Sequence, residues 1–482
     1  MKIPKEIKEI LEKLEKKGFQ AFIVGGCVRD ILRGVKPLDW DIATSAKPKD
    51  IKKIFPTSYL DNKFGTVTIL TNSKDPTLKE VEVTPFRIDE RYSDKRHPDK
   101  ISWAKTIKED LSRRDFTINA IAANRKGEII DPFGGRKDLE RKIIRAVGNP
   151  KERFSEDALR LMRAVRFATT LNFKIEKETE RAIRENAHLL NFISKERIRD
   201  EFLKIILSEN AAKGVELLRK LGLLKYIVPE LLEGYKVSQN KHHIYDCYEH
   251  ALRSLDFAAK KGFNKYVRLA ALFHDIGKPR TKRGEGPDAT FYNHEIVGAK
   301  MTAQILSRLR FPKKDIEKIV KLVRYHLFYY NVGEVGESSV RRLLRKVGPE
   351  NIKELVQLRM ADRIGSGCPK ALPYRLRHFL YMVEKVSQDP LDVKMLKING
   401  NKVMEILKIG PGPKVGKILD ILLGEVLEDP RKNKRSYLEK RVKELGKISN
   451  EELNKLAEKS RKKREEIIIK RDEMTKKKYW IS

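Results

Sequence analysis

The spacing of apolar residues changes once along the chain, near Asn149, and this change limits the folds that the chain can adopt. Before it, short apolar runs such as QAFIVGG, GTVTIL and EVEVTPFR have the length and flanking residues of strands. After it, apolar residues recur at helical spacing, beginning with SEDALRLMRAVRFATTLN, and no convincing strand is predicted again. The sequence therefore predicts an α+β fold, with a mixed-sheet head followed by helical domains.

A chain of 482 residues exceeds what one hydrophobic core usually supports, so several domains are expected. A break at VPELLEGYKVSQNKHH precedes a histidine-rich helical block, and a glycine and proline cluster interrupts the helical region at Gly410 to Pro413. The chain ends in a lysine-rich helix predicted over Asn450 to Lys478. These breaks predict four domains, at residues 1–145, 146–235, 236–367 and 368–482.

The charge balance indicates a polyanionic partner. The chain has 104 Lys+Arg and 68 Asp+Glu, a net charge of +36, which favours a nucleic acid over a merely lysine-rich soluble surface. Cys27, Cys247 and Cys368 lie far apart without a CxxC pair, so neither a disulfide framework nor a zinc knuckle is indicated. Without a signal-like or bilayer-length apolar run, we expect a cytoplasmic protein without a membrane partner.

The stretch LDWDIAT carries two carboxylates, Asp39 and Asp41, on either side of a tryptophan. On one strand their side chains share a face, where they could hold the Mg²⁺ ions of a two-metal phosphoryl transfer. Upstream, Gly25 and Gly26 end a predicted strand and let backbone N–H groups approach a phosphate, with Arg29 one turn further on. Each feature alone also fits a surface turn.

Together these motifs carry a family resemblance. GGCVRD, then LDWDIAT, then RRDFTINA resemble the nucleotidyltransferases of the DNA polymerase β type, in the class II branch of bacterial tRNA CCA-adding enzymes and poly(A) polymerases. The resemblance implies that residues 1–145 are a palm-like nucleotidyltransferase head and that Glu82 is a possible third acidic residue near the metals. It also implies a flexible loop for terminal A addition at residues 87–111, where an ordinary surface loop is the alternative. The residues that it implies for the sugar and phosphates of the incoming nucleotide are Arg113, Arg114, Asp115 and Asn119.

The segment EDALRLMRAVRF predicts a helix that reads bases. Asp157, Arg160, Arg163 and Arg166 are three residues apart and can line one side of a helix, although salt-bridge support for an exposed helix would give the same pattern. A carboxylate and a guanidinium match the amino group and ring nitrogen shared by cytosine and adenine, so CTP and ATP would be accepted and UTP and GTP rejected. The pattern resembles that of class II CCA-adding enzymes. Within that resemblance, SKERIRDEF from Ser194 is similar to the helix of a neck domain, and LKINGNKV from Leu396 is similar to a tRNA-binding tail.

Histidines beside aspartates on predicted helices resemble the HD phosphohydrolase superfamily, in the block at residues 236–367. The resemblance implies a first divalent metal bound by His250, His274, Asp275 and Asp362, and a second at His294 and His326. Imidazoles with carboxylates suit Mn²⁺, Fe²⁺, Co²⁺, Ni²⁺ or Zn²⁺ better than Mg²⁺, and the expected activity is a phosphatase or phosphodiesterase. The alternative is a domain kept only as a scaffold.

These observations together predict an enzyme that adds CCA to the 3′ end of tRNA from CTP and ATP, with Mg²⁺ at the transferase site and a transition metal at the HD site. A specialist for CC or A addition and a poly(A) polymerase are alternatives within the class. An HD hydrolase with a non-catalytic RNA-binding N-terminal module is the alternative from another class.

Overall fold

The structure is a computed structural model of the chain, and it describes residues 1–60, 65–90, 100–240, 244–387 and 393–481. Residues 91–99 of the predicted loop at 87–111 lie outside the described residues. The chain forms two compact units, the first at residues 1–327 and 353–371 and the second at residues 328–352 and 372–482.

The strands belong to the first unit, and nearly all of them lie in its N-terminal part. Seven form one mixed sheet in the order β3-β4-β5-β2-β1-β8-β9, in which β2 and β5 are parallel and the other neighbours antiparallel. This sheet confirms the mixed-sheet head of the predicted α+β fold. The strands are β1 (Ala21–Val24), β2 (Asp41–Thr44), β3 (Ser58–Leu60), β4 (Val67–Leu70), β5 (Glu80–Pro85), β6 (Arg87–Glu90), β7 (Lys100–Trp103), β8 (Ala122–Ala123), β9 (Ile129–Ile130), β10 (Ile143–Ile144) and β11 (Lys174–Ile175).

Both faces of the sheet are covered, so alternate residues of its central strand enter different cores. Trp40 and Ile42 pack in one apolar cluster with Leu11 of the first helix, whereas Ala43 packs in another with Phe86. This alternation agrees with the prediction that Trp40 points away from the acidic face. It leaves the first residue of β2, Asp41, at the edge of the second core.

The rest of the chain is helical, as predicted, apart from the short parallel pair β10 and β11. The prediction of no further strand after Asn149 is therefore wrong at Lys174–Ile175, where two residues are too few to give a readable pattern. The helices are α1 (Lys5–Lys16), α2 (Gly26–Leu32), α3 (Pro48–Ile54), α4 (Ile107–Ser112), α5 (Gly135–Glu140), α6 (Pro150–Glu156), α7 (Leu159–Leu171), α8 (Lys177–Asn186), α9 (Lys195–Ile206), α10 (Ala211–Lys220), α11 (Leu224–Ile227), α12 (Cys247–Lys260), α13 (Lys265–Phe273), α14 (Lys278–Thr281), α15 (His294–Arg308), α16 (Lys313–Tyr325), α17 (Glu337–Val347), α18 (Ile352–Gly365), α19 (Tyr374–Ser387), α20 (Gly400–Leu407), α21 (Pro413–Glu428), α22 (Arg435–Gly446) and α23 (Asn450–Lys478).

The second unit has its own core, built mainly from α20 to α23. Leu422, Leu438 and Val442 are buried there together. The predicted glycine and proline interruption separates α20 from α21, and the lysine-rich C-terminal helix is present as α23. Across the described ranges, none of the helices is long and apolar enough to cross a membrane.

Candidate active site and metal centre

A cavity of about 630 Å³ opens between the sheet of the head and helices α7 and α9. It brings together all of the residues that the sequence predicts for metal and nucleotide binding in the head and on the base-reading segment. They are Gly25, Gly26, Arg29, Asp39, Asp41, Glu82, Arg113, Arg114, Asp115, Asn119, Asp157, Arg160, Arg163 and Arg166. Their individual roles remain predictions.

The three acidic residues converge through the pairing of two strands. Asp41 begins β2 and lies in register with Glu82 of the parallel strand β5, so the two carboxylates are neighbours on one face. Asp39 precedes the strand rather than belonging to it, so strand alternation does not account for its position. Both carboxylates lie beside the glycine turn, since a Cβ on Gly25 would lie 3.6 Å from Asp41 Oδ2 and one on Gly26 would lie 4.0 Å from Asp39 Oδ1.

The backbone of Gly25 has a φ of +76°, and a Cβ there would lie 2.7 Å from Nη1 of Arg114. A side chain would therefore be strained and would displace that guanidinium. Glycine at this position lets Arg114 lie against the turn from which α2 starts.

The surroundings of Asp41 favour binding of a cation. Burial, together with the charges of Asp39 and Glu82, outweighs the effect of Arg114 and raises the pKa of the Asp41 carboxyl to about 6. A half-buried acid beside two other acids is costly to ionise, and a divalent cation relieves that cost. Three carboxylates around one opening are thus a donor set that fits Mg²⁺.

The RRDFTINA motif supplies a chain of hydrogen bonds along the cavity wall. Asp115 accepts hydrogen bonds from Asn119 Nδ2 at 3.0 Å and Arg163 Nε at 2.8 Å. Asn119 Oδ1 accepts in turn from Nη1 of Arg29 at 2.8 Å. Although burial alone would raise the pKa of Asp115, Arg163 and Asn119 outweigh it and lower that pKa. The carboxylate therefore stays ionised and fixes the guanidinium of Arg163.

The base-reading segment is not one helix. It breaks between α6 and α7, and Asp157 has extended dihedral angles (φ −135°, ψ 103°) and follows the last residue of α6. The prediction that Asp157 shares one helix with Arg160, Arg163 and Arg166 is therefore wrong, although the break still directs Asp157 to the same cavity. The Asp157 carboxylate accepts the backbone N–H of Leu159 at 3.0 Å, which stabilises the start of α7.

Two residues that the sequence analysis did not single out hold these groups. Arg197 on α9 donates to Asp157 Oδ2 at 2.9 Å and Oδ1 at 3.3 Å, a two-pronged contact, and Glu201 one turn later accepts from Arg166 Nε at 2.6 Å. Their spacing of four on one helix face was the available signal. Arg197 and Lys204, with Leu159 and Phe167, also line the cavity.

Arg160 is largely engaged by the protein. Its Nη1 donates to Glu156 and to the carbonyl of Arg153, and its Nη2 donates to the carbonyl of Arg113. A guanidinium has five N–H donors, so two remain without a partner among the described residues. Glu156, the first of the two acids in the EDALR sequence, thus orients Arg160 together with these two carbonyls.

The six predicted HD ligands form a second cluster, which is fully buried. Asp275 joins its two halves. One of its carboxylate oxygens lies 3.1 and 3.3 Å from Nε2 of His250 and His274, and the other lies 3.2 and 3.5 Å from Nε2 of His294 and His326. Asp362 completes the first half, at 3.4 Å from Nε2 of His250. The structure thus yields two potential metal-binding groups that share Asp275.

The histidines present the correct nitrogen for a metal. Nδ1 of His274, His294 and His326 each lies 2.7 to 2.9 Å from a backbone carbonyl three residues upstream. Because a carbonyl can only accept, Nδ1 carries the proton and Nε2 faces the cluster. Nε2 of His294 and of His326 is buried and makes no hydrogen bond with the described residues. Unsatisfied imidazole nitrogens around a shared carboxylate fit divalent transition metals.

Without a metal, the cluster balances its own charge. Burial alone would lower the pKa of His274, but Asp275 and Asp362 outweigh it and raise that pKa to about 10. The pKa of Asp275 lies well below its ordinary value, because His274 and Lys278 oppose the effect of burial. Lys278 lies 2.6 Å from Asp275, and Arg359 lies 2.6 Å from Asp362. Neither Lys278 nor Arg359 is among the site residues that the sequence predicts.

A mixed-sheet head with an acidic cavity, followed by helices that carry an HD cluster, defines a class: nucleotidyltransferases with a poly(A) polymerase type head and an HD domain. Family models agree, since the poly(A) polymerase head domain matches residues 21–145, the probable RNA- and SrmB-binding site of polymerase A matches residues 172–234, and the HD domain matches residues 247–366.

Two similar proteins and one similar crystal structure identify the family of the chain. The chain is 34% identical to the CCA-adding enzyme of Lactococcus lactis over 92% of this chain and 99% of that protein. It is also 34% identical to the A-adding tRNA nucleotidyltransferase of Deinococcus radiodurans, over 84% of this chain and 92% of that protein. The crystal structure of the Bacillus stearothermophilus CCA-adding enzyme in complex with CTP is 29% identical, with a TM-score of 0.61 over 92% of this chain and 98% of that one. The chain belongs to the family of CCA-adding enzymes and related tRNA nucleotidyltransferases.

Proposed function

We propose that this protein adds C, C and A in turn to the 3′ end of tRNA, using CTP and ATP. The observation that carries the proposal is the shared cavity, in which three carboxylates, a set of arginines and the Asp157 and Arg160 pair face one opening. Acids for metal binding, cations for a triphosphate and a base-reading pair are the three parts that templated addition of a nucleotide needs.

In this proposal Asp39 and Asp41 hold Mg²⁺, with Glu82 beside them. Bound by these residues, Mg²⁺ would supply positive charge to offset the negative charge on the attacking 3′-hydroxyl and on the pyrophosphate leaving group. Gly25, Gly26 and Arg29 receive phosphates at the start of α2, and Arg114 approaches the same turn. Arg113, Asp115 and Asn119 hold the sugar and phosphates together with these groups.

In this proposal Asp157 and Arg160 select the base of the incoming nucleotide. The carboxylate held by Arg197 accepts a hydrogen bond from the exocyclic amino group of cytosine or adenine, and a remaining N–H of Arg160 donates to the ring nitrogen. UTP and GTP present the opposite pattern, so they would leave both groups unpaired. Arg163 and Arg166 complete the positive wall of the cavity.

The test is the identity of the nucleotides acquired by a tRNA that ends at the discriminator base, resolved to single nucleotides. We expect C, C and A from a mixture of CTP and ATP, addition of A alone to tRNA ending in CC, and no extension of an unrelated RNA. A protein that extends only tRNA ending in CC would be an A-adding specialist like the Deinococcus radiodurans relative. Extension of any RNA with ATP would indicate a poly(A) polymerase.

A second activity is supported by the HD cluster. His250, His274, Asp275 and Asp362 would hold one divalent transition metal, and His294 and His326 would hold a second with Asp275 as the shared ligand. Such metals make a bound water acidic enough to attack a phosphate ester. We propose a metal-dependent phosphatase or phosphodiesterase activity, tested on a generic phosphomonoester and on RNA ending in a cyclic phosphate with added Mn²⁺, Co²⁺, Ni²⁺ or Zn²⁺. If the metal-loaded protein hydrolyses neither substrate, the cluster serves only as a scaffold.

Three further elements belong to this proposal. The first is the division into a head at residues 1–145, a neck at 146–235, an HD domain at 236–367 and a tRNA-binding tail at 368–482. The second is a cytoplasmic location, where the tRNA substrate would be found. The third is binding of the tRNA backbone through the net charge of +36, which predicts weaker binding at higher salt concentrations.

A further inference from the structure

The acid Asp110 lies on α4, near the end of the loop that the family resemblance implies at residues 87–111, and neither the RRDFTINA motif nor the lining of the cavity includes it. Its side chain is only 1% exposed. A fully buried carboxylate is costly unless charged or polar partners compensate it. Its partners therefore indicate what the protein gains from keeping it.

The partners of Asp110 are the two adjacent arginines of the RRDFTINA motif. Oδ1 accepts from Nε of Arg113 at 3.0 Å and from Nη2 of Arg113 at 2.7 Å. Oδ2 lies 3.5 Å from Nη2 of Arg114. The backbone N–H of Arg87, at the start of the β6–β7 hairpin, also approaches Oδ1, at 3.4 Å.

The two guanidinium groups are therefore held unequally. Arg113 is fixed by two short hydrogen bonds, and its carbonyl also accepts from Arg160 at 3.1 Å. Arg114 has only the longer contact with Asp110, and its buried Nε has no hydrogen-bond partner among the described residues. Arg114 also reaches the glycine turn, because its Nη1 would lie 2.7 Å from a Cβ on Gly25. Arg114 thus keeps donors for an anion at this turn.

Electrostatics gives the reason for such an anchor. Two adjacent cations on one wall repel each other, and Arg163 and Arg29 line the same cavity. Burial alone would raise the pKa of Asp110, but Arg113 and Arg114 outweigh burial and lower that pKa. The carboxylate is therefore ionised, and its charge keeps both guanidinium groups in place before any nucleotide binds.

We propose that Asp110 is a positioning residue for nucleotide binding, which fixes Arg113 and orients Arg114 toward the triphosphate at the Gly25 turn. Asp110 itself touches no substrate. The inference rests on the proposed nucleotidyl transfer and extends it by naming the acid that preorganises the triphosphate-binding arginines.

The test compares Asp110→Asn with Glu109→Gln, a neighbouring carboxylate on the same helix. Glu109 is half-buried and completes the capping box with Thr106 at the start of α4, so its loss should affect the capping of the helix. We expect Asp110→Asn to raise KM for CTP and ATP about tenfold and to weaken inhibition by pyrophosphate by a similar factor, with a smaller change in kcat and none in KM for tRNA. Glu109→Gln should leave all four quantities within about twofold of those of the wild type.

Two outcomes would overturn the inference. One is an Asp110→Asn protein that folds, as judged by thermal unfolding, and keeps wild-type KM values and pyrophosphate inhibition. The other is an equal loss of kcat for both variants without a change in KM, which would indicate a purely structural role. If Asp110→Asn fails to fold, Asp110→Glu retains the charge with a longer side chain. The charge then remains, but the carboxylate is displaced from its two short hydrogen bonds with Arg113, so KM for CTP and ATP should rise by less than about tenfold. An unchanged KM in that variant also counts against the inference.

Binding of CTP without tRNA, measured by calorimetry, separates this inference from the proposed function. A wild-type protein that binds CTP but extends no tRNA would contradict the proposed function and leave the role of Asp110 testable. In that case an equal Kd for CTP in wild type and Asp110→Asn would overturn the positioning role by itself.

Discussion

Asp41 is a half-buried and Asp275 a buried aspartate of a candidate metal site, and their surroundings shift their pKa values in opposite directions. Asp41 has two acids and one arginine as neighbours, so burial prevails and raises its pKa to about 6. Asp275 has four histidines and Lys278 as neighbours, so its pKa lies well below the ordinary value in spite of complete burial.

This contrast indicates how each site obtains its positive charge. In the head cavity Arg114 alone opposes the charges of Asp39 and Glu82 at Asp41, so Mg²⁺ would supply the remaining positive charge from solution. The HD cluster carries its own cations, so a metal there must replace protons on the histidines.

The largest effect is expected from Asp41→Ala, because it removes a ligand that no other group replaces. Incorporation of CMP and AMP into tRNA should fall about a thousandfold or more, as in other phosphoryl transfers that lose a metal ligand. Hydrolysis by the HD site should not change. Unaltered nucleotide incorporation would reject the proposed transferase site and favour an HD hydrolase with a non-catalytic head.

The reciprocal change is His274→Ala in the HD cluster. Metal content after loading with Mn²⁺ or Ni²⁺, measured by mass spectrometry, should fall from about two ions per chain to about one, because the Asp275, His294 and His326 group stays complete. His294→Ala should also retain about one ion, because the His250, His274, Asp275 and Asp362 group stays complete. Nucleotide addition by both variants should stay close to that of the wild type. Loss of both ions in either variant would argue against two separable positions.

Stability without metal tests the opposite pKa shifts directly. Because the folded-state pKa of Asp41 is raised from 3.8 to about 6, the folded state binds a proton that the unfolded state has released between these pH values. The contribution of Asp41 to wild-type stability therefore falls as the pH rises from about 4 to about 6, and the loss persists above that range. In EDTA at pH 8 we expect Asp41→Asn to raise the free energy of unfolding by about 2 kcal/mol.

Asp275→Asn is the matched control, and its effect should have the opposite sign. It leaves buried imidazolium groups and Lys278 without their counterion, so the free energy of unfolding should decrease in the same buffer. Thermal unfolding of the two variants side by side measures both effects. The same direction of change in both would contradict the charge comparison.

A smaller effect is expected from Arg197→Met, which frees the Asp157 carboxylate from its two-pronged contact. Preference for CTP over UTP in the first addition should fall about tenfold, because the carboxylate can then turn away from the amino group of cytosine. Arg199→Met is the control, since Arg199 lies on the same helix and pairs with Asp200 outside the cavity. Unchanged discrimination would show that Asp157 needs no support from α9.

Much of this architecture is readable from the sequence because its motifs are local. GGCVRD is a strand end followed by a helix start, and the structure places Gly25 at that junction with the backbone geometry that glycine allows. The fourteen residues predicted for the head and the base-reading segment were identified from short motifs, and one cavity unites them. The sequence also predicts the change from a mixed sheet to helices, because the two hydrophobic periods differ.

The errors occur where long-range contacts override local pattern. The apolar spacing of SEDALRLMRAVRF predicts one helix, but Asp157 leaves the helical conformation and pairs with Arg197, forty residues away. Asp110 and Lys278 carry no motif of their own, although each lies three or four residues from its partners, Arg113 and Arg114 for the first and Asp275 for the second. Such spacing is common on exposed helices, so it does not report that these two side chains are buried.

The sequence by itself therefore determined the types of donor at each site and the order of the elements, since these depend on neighbouring residues and on hydrophobic period. Only the tertiary structure decided how those donors are charged. The pKa of Asp41, beside Asp39 and Glu82, is raised to about 6, whereas the pKa of Asp275, among the histidines, lies well below its ordinary value. The reason is that burial weakens screening, so the sign of the nearest charges sets the state of each carboxylate.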